Sequence, residues 1–600
     1  MSALTVLRRA LALGLIRELD YHFAALIAEL SEESPEGVAL AAALVSRQTG
    51  AGDVCVRLDA WAGRVVFDAL PELSAPPLAA WRAMLQASPA VSDTATAPLV
   101  LDGDAVYLAR YWTFETRLAA ALRERAASWA AGVERARLAA GVRRLLGEAA
   151  HAADQRSAAA LAVLRRLAVI SGGPGTGKTR TVAAILALLL DQHPPLRIAL
   201  AAPTGKAAAR LAESIQAVKR ELPLDPAQQA ALPESAQTLH RLLGSRPGRS
   251  QPRHHAGNPL HVDLLVIDEA SMVDLPLLAR AVDALPAHAR LVLLGDRDQL
   301  ASVEAGAVLA DICGEPGAPR YSADMRAALR ETADAEHEAH GPAMPPMADS
   351  IALLRHSYRF TAGSGIGALA QAINAGDAAA VQAVLAAGWP GVRRVSPAAL
   401  APRLDERLGA ALDALFAAAT PGEALARLGR LRILCAVREG PFGVRELNAL
   451  IERLVRRRLS VDTRKPWYKG RPVMVQDNDY ALGLFNGDVG IAWPDAADEL
   501  KVFFESGDGL RAVHPGRMPA HETVYAMTVH KSQGSEFDEV LLILPRQDAP
   551  VLTRELLYTA ITRARQDVEI WADAHTIDTA VARRVRRASG LYARVWGARA

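Results

Sequence analysis

The sequence predicts an α/β protein with mostly parallel sheets, and a few stretches carry that expectation. LAVISGGPGTGKTRTVAAILALLL (167–190) reads as a buried strand, a glycine-rich turn and an apolar-periodic helix. LRIALAAPTGKAAARLAESI (196–215) repeats the order of strand, turn and helix. HVDLLVIDEAS (261–271) and ARLVLLGDRDQL (289–300) are apolar runs that end in acidic residues. Runs without alternation suit strands buried on both faces, and strands alternating with helices imply parallel pairing. Ligands of such sheets lie at the carboxyl edge of the strands.

Six hundred residues exceed what one core supports, which predicts about three or four domains. The formal net charge is only +2, so nucleic-acid binding has to come from local patches. Cys55, Cys313 and Cys435 are far apart, fit no metal spacing and suit a reducing cytoplasm. Arg8-Arg9 precedes a seven-residue apolar run that Arg17 and Glu18 end, with no small-residue cleavage site after it, which argues against a signal peptide. No run reaches the ~20 apolar residues of a membrane span. A cytoplasmic location is therefore expected. Of 68 basic residues only seven are lysines, so a lysine inside a motif is informative.

Residues 1–145 read as a mainly helical domain without catalytic spacing. Leu15, Leu19, Phe23, Leu26 and Leu30 mark one helix face, and 97–122 reads as two strands across Asp102-Gly103 followed by a helix. Tyr107, Tyr111, Trp112 and Phe114 are of a type that stacks bases, and core packing is the reading favoured for them.

The first of two sheet-containing domains is expected over 146–345. In GGPGTGKT, side chains at Gly172, Gly173, Gly175 and Gly177 would block backbone N–H groups from triphosphate oxygens. Pro174, Thr176 and Arg180 complete the nucleotide-binding stretch. Lys178 places a point charge on the β/γ-phosphates, and Thr179 offers a hydroxyl to Mg²⁺. Asp268 ends a strand and can hold Mg²⁺, while Glu269 can polarise the attacking water. The expected ligands are thus ATP and Mg²⁺. Gln299 follows a further strand end and is placed near the γ-phosphate, and Gln155 opens a helix where its amide could read an adenine edge. Pro203-Thr204-Gly205-Lys206 looks like a site for a nucleic-acid phosphate, and Thr238 and His240 lie at another helix start. The basic segment 245–259 reads as a mobile loop, and 314–350 as an insertion or disordered loop.

The remainder, 346–600, is expected to be a second domain of the same kind. LRILCAVREGPFGVRELNALI (431–451) is strand, turn and helix without a phosphate-binding lysine. Alternation around 467–522 predicts a small antiparallel barrel inserted in that domain. Arg359 follows a short apolar stretch, YAMTVHKSQGSEFDEVLLIL carries Thr528, His530, Lys531, Gly534 and Glu536, and Arg563 lies in TAITRA.

GGPGTGKT, APTGKAAA, TLHRLLG, IDEAS and GDRDQL resemble motifs I, Ia, Ib, II and III of superfamily 1 DNA helicases, and SYRF, TVHKSQGSEFDEV and TAITRA resemble motifs IV to VI. Gln155 matches the Q motif. AALVSRQTGAGDVCVRL, REGPFGVRELN and GRPVMVQDNDYALGLFNGDVG extend the resemblance to the RecD family, the alpha chain of exodeoxyribonuclease V, of subfamily 1B. This implies two RecA-like domains, an SH3-like barrel insertion and an N-terminal domain that docks on a RecC-like chain in a heterotrimer with a RecB-like chain. It implies a 5′→3′ DNA helicase acting at double-strand ends, with Arg359 and Arg563 reaching the γ-phosphate and with Gly534 and Glu536 at the nucleotide. Strand contacts are implied for Pro203, Thr204, Lys206, Thr238, His240, Thr528, His530 and Lys531. No carboxylate cluster of a nuclease is found in the chain. A free-standing helicase of the same kind and a non-motor structural subunit are the alternatives.

Overall fold

Parallel pairing follows from the apolar strand runs, and it is what the computed structural model contains. It describes residues 2–597 except 32–34, 193–195, 222, 247, 250, 316, 318–319, 339–343, 361–362, 399, 480 and 507–508. The first sheet has six strands in the order Ile351–Leu354, Leu167–Gly172, Arg290–Gly295, Leu264–Ile267, Ile198–Ala202 and Gln237–Thr238, all parallel. Both faces are covered. Leu167, Val169, Leu265, Ile267, Leu291 and Leu293 enter one core, and Ala168, Ile170, Leu264, Val266, Val292 and Leu294 the other. Continuous apolar runs are the sequence consequence of that double burial.

The second sheet has five parallel strands in the order Val392–Val395, Ala564–Trp571, Phe537–Ile543, Leu431–Cys435 and Ala526–Thr528. Between its strands Leu431–Cys435 and Ala526–Thr528 lies a separate antiparallel sheet, Pro472–Val475, Val489–Pro494, Leu500–Ser506, Gly509–Val513 and His521–Thr523. Its ladder is linear, with Gly509–Val513 and His521–Thr523 at the ends, so the expected barrel appears here as an open five-strand ladder among the described residues.

Three further expectations change. Ile351–Leu354 pairs with the P-loop strand, so the first sheet continues past the expected division at residue 345/346. Part of 314–350 is not a loop: Ala323–Ala333 is a helix whose Met325, Ala328, Leu329 and Ala333 are buried in the core of the first sheet. A stripe at i, i+3, i+4 and i+8 is diluted there by Asp324, Arg326 and Arg330 on the other side. Of the segment 245–259, in which 247 and 250 lie outside the described residues, 254–258 is held in place: His255 and Asn258 pair with each other and the His254 N–H donates to Leu243 O at 3.0 Å.

The N-terminal domain is bound to the first sheet by its long helix. Ala109–Ala127 buries Leu118 and Leu122 in the same core as the sheet, at roughly 2 kcal/mol of stabilisation each. Tyr107 and Tyr111 are buried there too, as core residues. The helix Glu18–Glu29 behaves differently. Tyr21, Ala24 and Ile27 are buried, whereas Leu19 and Leu26, on the stripe the sequence singles out, are 67% and 52% exposed.

The last described segment runs back from the second sheet onto the N-terminal domain. Glu115, fully buried, accepts from Tyr107 Oη at 3.1 Å, Ser589 Oγ at 2.9 Å, the Gly590 N–H at 3.0 Å and Arg594 Nε at 2.9 Å. Arg594 also pairs with Asp102. Removing one member of such a pair strands the other charge. Glu115→Ala is expected to cost about 3 kcal/mol locally, read as faster protease cleavage within 584–597 and an earlier denaturant transition.

Candidate nucleotide and nucleic-acid site

The glycine-rich turn leaves the strand Leu167–Gly172 and enters the helix Lys178–Gln192. Gly175 and Gly177 have φ of +77° and +81°, a region costly for any side chain. A Cβ at Gly175 would collide with the Cβ of Arg359, and one at Gly173 would lie 2.8 Å from the Tyr558 hydroxyl. The Lys178 ammonium donates to Gly172 O at 2.6 Å and Gly173 O at 3.1 Å, inside the curve of the turn. Pro174 O accepts from Ser357 Oγ at 3.3 Å, and Thr176 Oγ1 donates to Gly173 O at 2.8 Å. Thr179 is half-buried at the start of the helix, and Arg180 is exposed. Gln155 is buried: its amide donates to Thr176 O at 3.2 Å and accepts from the Tyr358 hydroxyl at 3.1 Å, so it also supports the turn.

Asp268 and Glu269 follow the strand Leu264–Ile267 at the same carboxyl edge. Burial, and then the Glu269 charge, push the Asp268 carboxyl up, with Lys178 acting against them. Glu269 has the left-handed φ of +51°, and its N–H donates to Asp268 Oδ1 at 2.9 Å. Such a backbone costs about 1–3 kcal/mol and fixes the direction of the second carboxylate. Gln299 is buried and donates to Asp296 Oδ2 at 3.0 Å.

Three arginines from the linking segment and the second domain lie around Glu536 near this edge. Arg359 follows Ile351–Leu354, and so stands on the segment joining the two sheets rather than within the second one. It pairs with Glu536 at 2.5 Å, and its buried Nη1 has no hydrogen-bond partner among the described residues. Arg563 is buried, donating from Nε to Thr559 O and from Nη1 to Ser535 O, both at 3.2 Å. Glu536 also pairs with Arg565 at 3.3 Å. Burial works to raise the Glu536 carboxyl, but Arg359, Arg563 and Arg210 together hold it below the usual range. Gly534 O accepts from Arg210, a residue of the first domain.

Tyr558 is the contact that sequence reasoning missed. Its hydroxyl donates to Asp296 Oδ2 at 3.0 Å, beside Gln299, and burial first and Asp296 second raise its pKa far above that of a free phenol. Nearby, Thr559 Oγ1 accepts from the Leu300 N–H at 2.9 Å, and Gln533 donates to Leu300 O at 3.0 Å. The only signal was a tyrosine among the apolar residues of ELLYTAI (555–561), which core packing explains as well. Tyr558→Phe deletes one hydrogen bond, worth about 1 kcal/mol, and leaves the turn intact. We expect a several-fold loss of turnover with little change in nucleotide affinity, measured by steady-state hydrolysis and by binding of a non-hydrolysable nucleotide.

The residues expected to touch a strand fall in two places. Lys206 is half-buried in a cavity of about 870 Å³ between the helix Gly205–Glu221, the inserted sheet and the second domain. Burial, then Arg210 and Arg432, push its ammonium down to about 8. Thr204 Oγ1 accepts from the Ala207 N–H at 3.2 Å beside half-buried Pro203, and a Cβ at Gly205 would lie 2.7 Å from Phe485 of the inserted sheet. Lys531 reaches that sheet as well, donating to Asn486 Oδ1 at 2.9 Å, while its N–H donates to Thr528 Oγ1 at 3.3 Å. His530 is held below its ordinary pKa by burial and by Arg587. Thr238 caps the short helix Leu239–Leu242 and His240 is exposed on it.

A profile described as "RecBCD enzyme subunit RecD, N-terminal domain" matches residues 12–107, an AAA domain 155–305, and a UvrD-like helicase C-terminal domain 523–570. The RecBCD enzyme subunit RecD of Mycobacterium tuberculosis (strain H37Rv) is 42% identical over 595 residues, covering 97% of this chain and 95% of that one. The chain belongs to the RecD family. The RecD subunit of Haemophilus influenzae is 32% identical over 98% of this RecD chain and 99% of its own length. The ATP-dependent RecD2 DNA helicase of Deinococcus radiodurans is 31% identical over 67% of this chain but only 46% of its own. Among solved structures, a Pif1 helicase superposes with a TM-score of 0.36 at 18% identity, over 68% of this RecD chain and 90% of that chain. No helix among the described residues is long and apolar enough to cross a membrane.

Proposed function

We propose that this RecD chain is the ATP-driven 5′→3′ DNA helicase subunit of a RecBCD-type helicase–nuclease that processes double-strand ends. The observation that carries this reading is the convergence of Arg359, Glu536 and Arg563 on the edge that holds Lys178, Asp268 and Glu269. The glycine turn and Lys178 hold the triphosphate of ATP. Thr179 and Asp268 supply hard oxygen donors suited to Mg²⁺, which keeps several waters and takes few protein ligands. When bound, Mg²⁺ neutralises charge on the β- and γ-phosphates.

Glu269 positions the attacking water, and Gln299 stands beside it on Asp296. Arg359, with one donor unengaged, and Arg563 stabilise charge as the γ-phosphoryl leaves. Because those arginines lie on the linking segment and the second domain, completing the site draws the domains together. Tyr558 and Gln533 carry that closure to Asp296 and Leu300. Lys206 and Lys531, both against the inserted sheet, change their spacing as the cleft closes and so grip the strand alternately. Gln155 supports the turn from the adenine side. The location we propose is the cytoplasm, where Cys55, Cys313 and Cys435, all buried and free, face no oxidant.

Hydrolysis by the purified chain with and without single-stranded DNA, alone and with its RecB-like and RecC-like partners, tests the reading. Stimulation by the strand supports a motor, and none in either setting leaves a structural subunit. The outward stripe of Glu18–Glu29 is our candidate for docking the RecC-like partner. Leu19→Glu with Leu26→Glu is expected to abolish co-elution with the partners and to leave the chain's own thermal transition within about 1 kcal/mol, since both leucines are exposed.

A further inference from the structure

A second cavity lies away from the nucleotide edge. It has a volume of about 510 Å³ and forms between the helix Ala109–Ala127 of the N-terminal domain, the 251–255 segment and the helix Leu275–Asp283. Its charged lining is lopsided. Arg110, Arg117 and Arg280 face it with a single carboxylate, Asp283, which sits 3.7 Å from Arg117. Arg110 and Arg280 make no ion pair within 4 Å among the described residues. Their guanidinium carbons instead lie over aromatic rings, Arg110 over Tyr111 at 5.0 Å and Arg280 over Phe114 at 5.4 Å. Stacking uses the face of a guanidinium and leaves in-plane N–H donors for an anion, although Arg110 also hydrogen-bonds to the Tyr111 hydroxyl. His254, also in the lining, has a buried Nδ1 without a hydrogen-bond partner among the described residues.

Continuity with the strand-contact segment decides what anion. The backbone N–H of His254 donates to Leu243 O at 3.0 Å, directly after the short helix that carries His240 and is capped by Thr238. His240 is also close enough to the helix Leu275–Asp283 to act on the carboxyl of its cap, Asp274. Cavity and strand segment thus share one wall. We propose that this pocket binds a backbone phosphate of the single strand beyond Thr238 and His240, with Arg110 and Arg280 as its ligands, so that the N-terminal domain is part of the DNA path. This rests on the strand-binding reading above. An acidic protein segment would be the other occupant of a pocket of this charge, and the DNA phosphate is favoured by the shared wall.

The test uses the full chain with its partner chains and oligothymidylates of increasing length, titrated over a range of salt. Each phosphate contact contributes about 0.7 to the slope of log K against log salt for a single strand. Arg110→Gln and Arg280→Gln are each expected to lower that slope by about 0.7 on long oligonucleotides and by nothing on the shortest one that still binds. Arg110→Lys retains the slope, because charge is kept. Nucleotide affinity is unchanged in all three. Arg110 is exposed, so its loss does not threaten the fold. Photo-crosslinking from iodouracil in the long oligonucleotide is expected at 110–117 or 251–255. Slopes unchanged at every length, or crosslinks only elsewhere, overturn the proposal while leaving the motor intact. Protection of the pocket by a partner chain and not by DNA overturns it too. Failure of the parent complex to bind any strand removes both this site and the strand-binding reading.

Discussion

Lys178→Gln is expected to reduce ATP hydrolysis by about 10²–10³-fold or more, with the strand still bound. The ammonium lies within the turn, 2.6 Å from Gly172 O, where the turn's N–H groups and the end of the Lys178–Gln192 helix already favour an anion. Glutamine keeps length and hydrogen bonding but removes the charge that the β/γ-phosphates gain most from in the transition state. It adds no branch to a turn whose glycines leave no room for one. Folding is therefore expected to be unaffected. Steady-state hydrolysis beside anisotropy with a labelled oligonucleotide separates the two effects. Hydrolysis within a few-fold of the parent would mean that another group carries the phosphates.

Arg563→Ala carries the second large effect, an expected loss of about 10³-fold or more in turnover with nucleotide affinity changed only a few-fold. The argument is geometric. Arg563 is buried between Thr559 O and Ser535 O, two residues from Arg565, and it helps depress the Glu536 carboxyl, which Arg359 also pairs with. Alanine also strands those two carbonyls, at a cost of about 1–3 kcal/mol, so a structural loss has to be separated from a catalytic one. Arg563→Lys does so. Lysine keeps charge and can satisfy one carbonyl, but it lacks the planar fork. If the role is transition-state stabilisation, the lysine variant binds nucleotide normally, melts near the parent and still turns over far more slowly. Full recovery of turnover by lysine would instead point to a packing role.

The nucleotide edge was legible in the sequence because chemistry dictates residue type at fixed spacing there. Gly175 and Gly177 with Lys178, and Asp268-Glu269 after four apolar residues, leave few alternatives, and the structure places them at one sheet edge. What sequence could not show is where separate segments meet. Ile351–Leu354 reads as a strand in either half, and only pairing with the P-loop strand assigns it to the first sheet. Tyr558 looks like any core aromatic until Asp296, far away in sequence, accepts a hydrogen bond from its hydroxyl at 3.0 Å. The Glu18–Glu29 helix misled in the opposite sense. Its leucine stripe is the more conspicuous pattern, yet small residues on the other side, Ala24 and Ala28, are the ones that allow close packing. For Ala323–Ala333, charge on three positions masked a core-facing stripe.

Strand separation on tailed duplexes, by the chain with its partners and with the partner motor inactivated, tests the central claim most directly. The account predicts ATP-dependent displacement from a 5′-tailed duplex, none from a 3′-tailed one, and loss of displacement in Lys178→Gln and Arg563→Ala alike. Displacement that survives both substitutions, or that favours the 3′ tail, would contradict a 5′→3′ motor whose site is completed between its two domains.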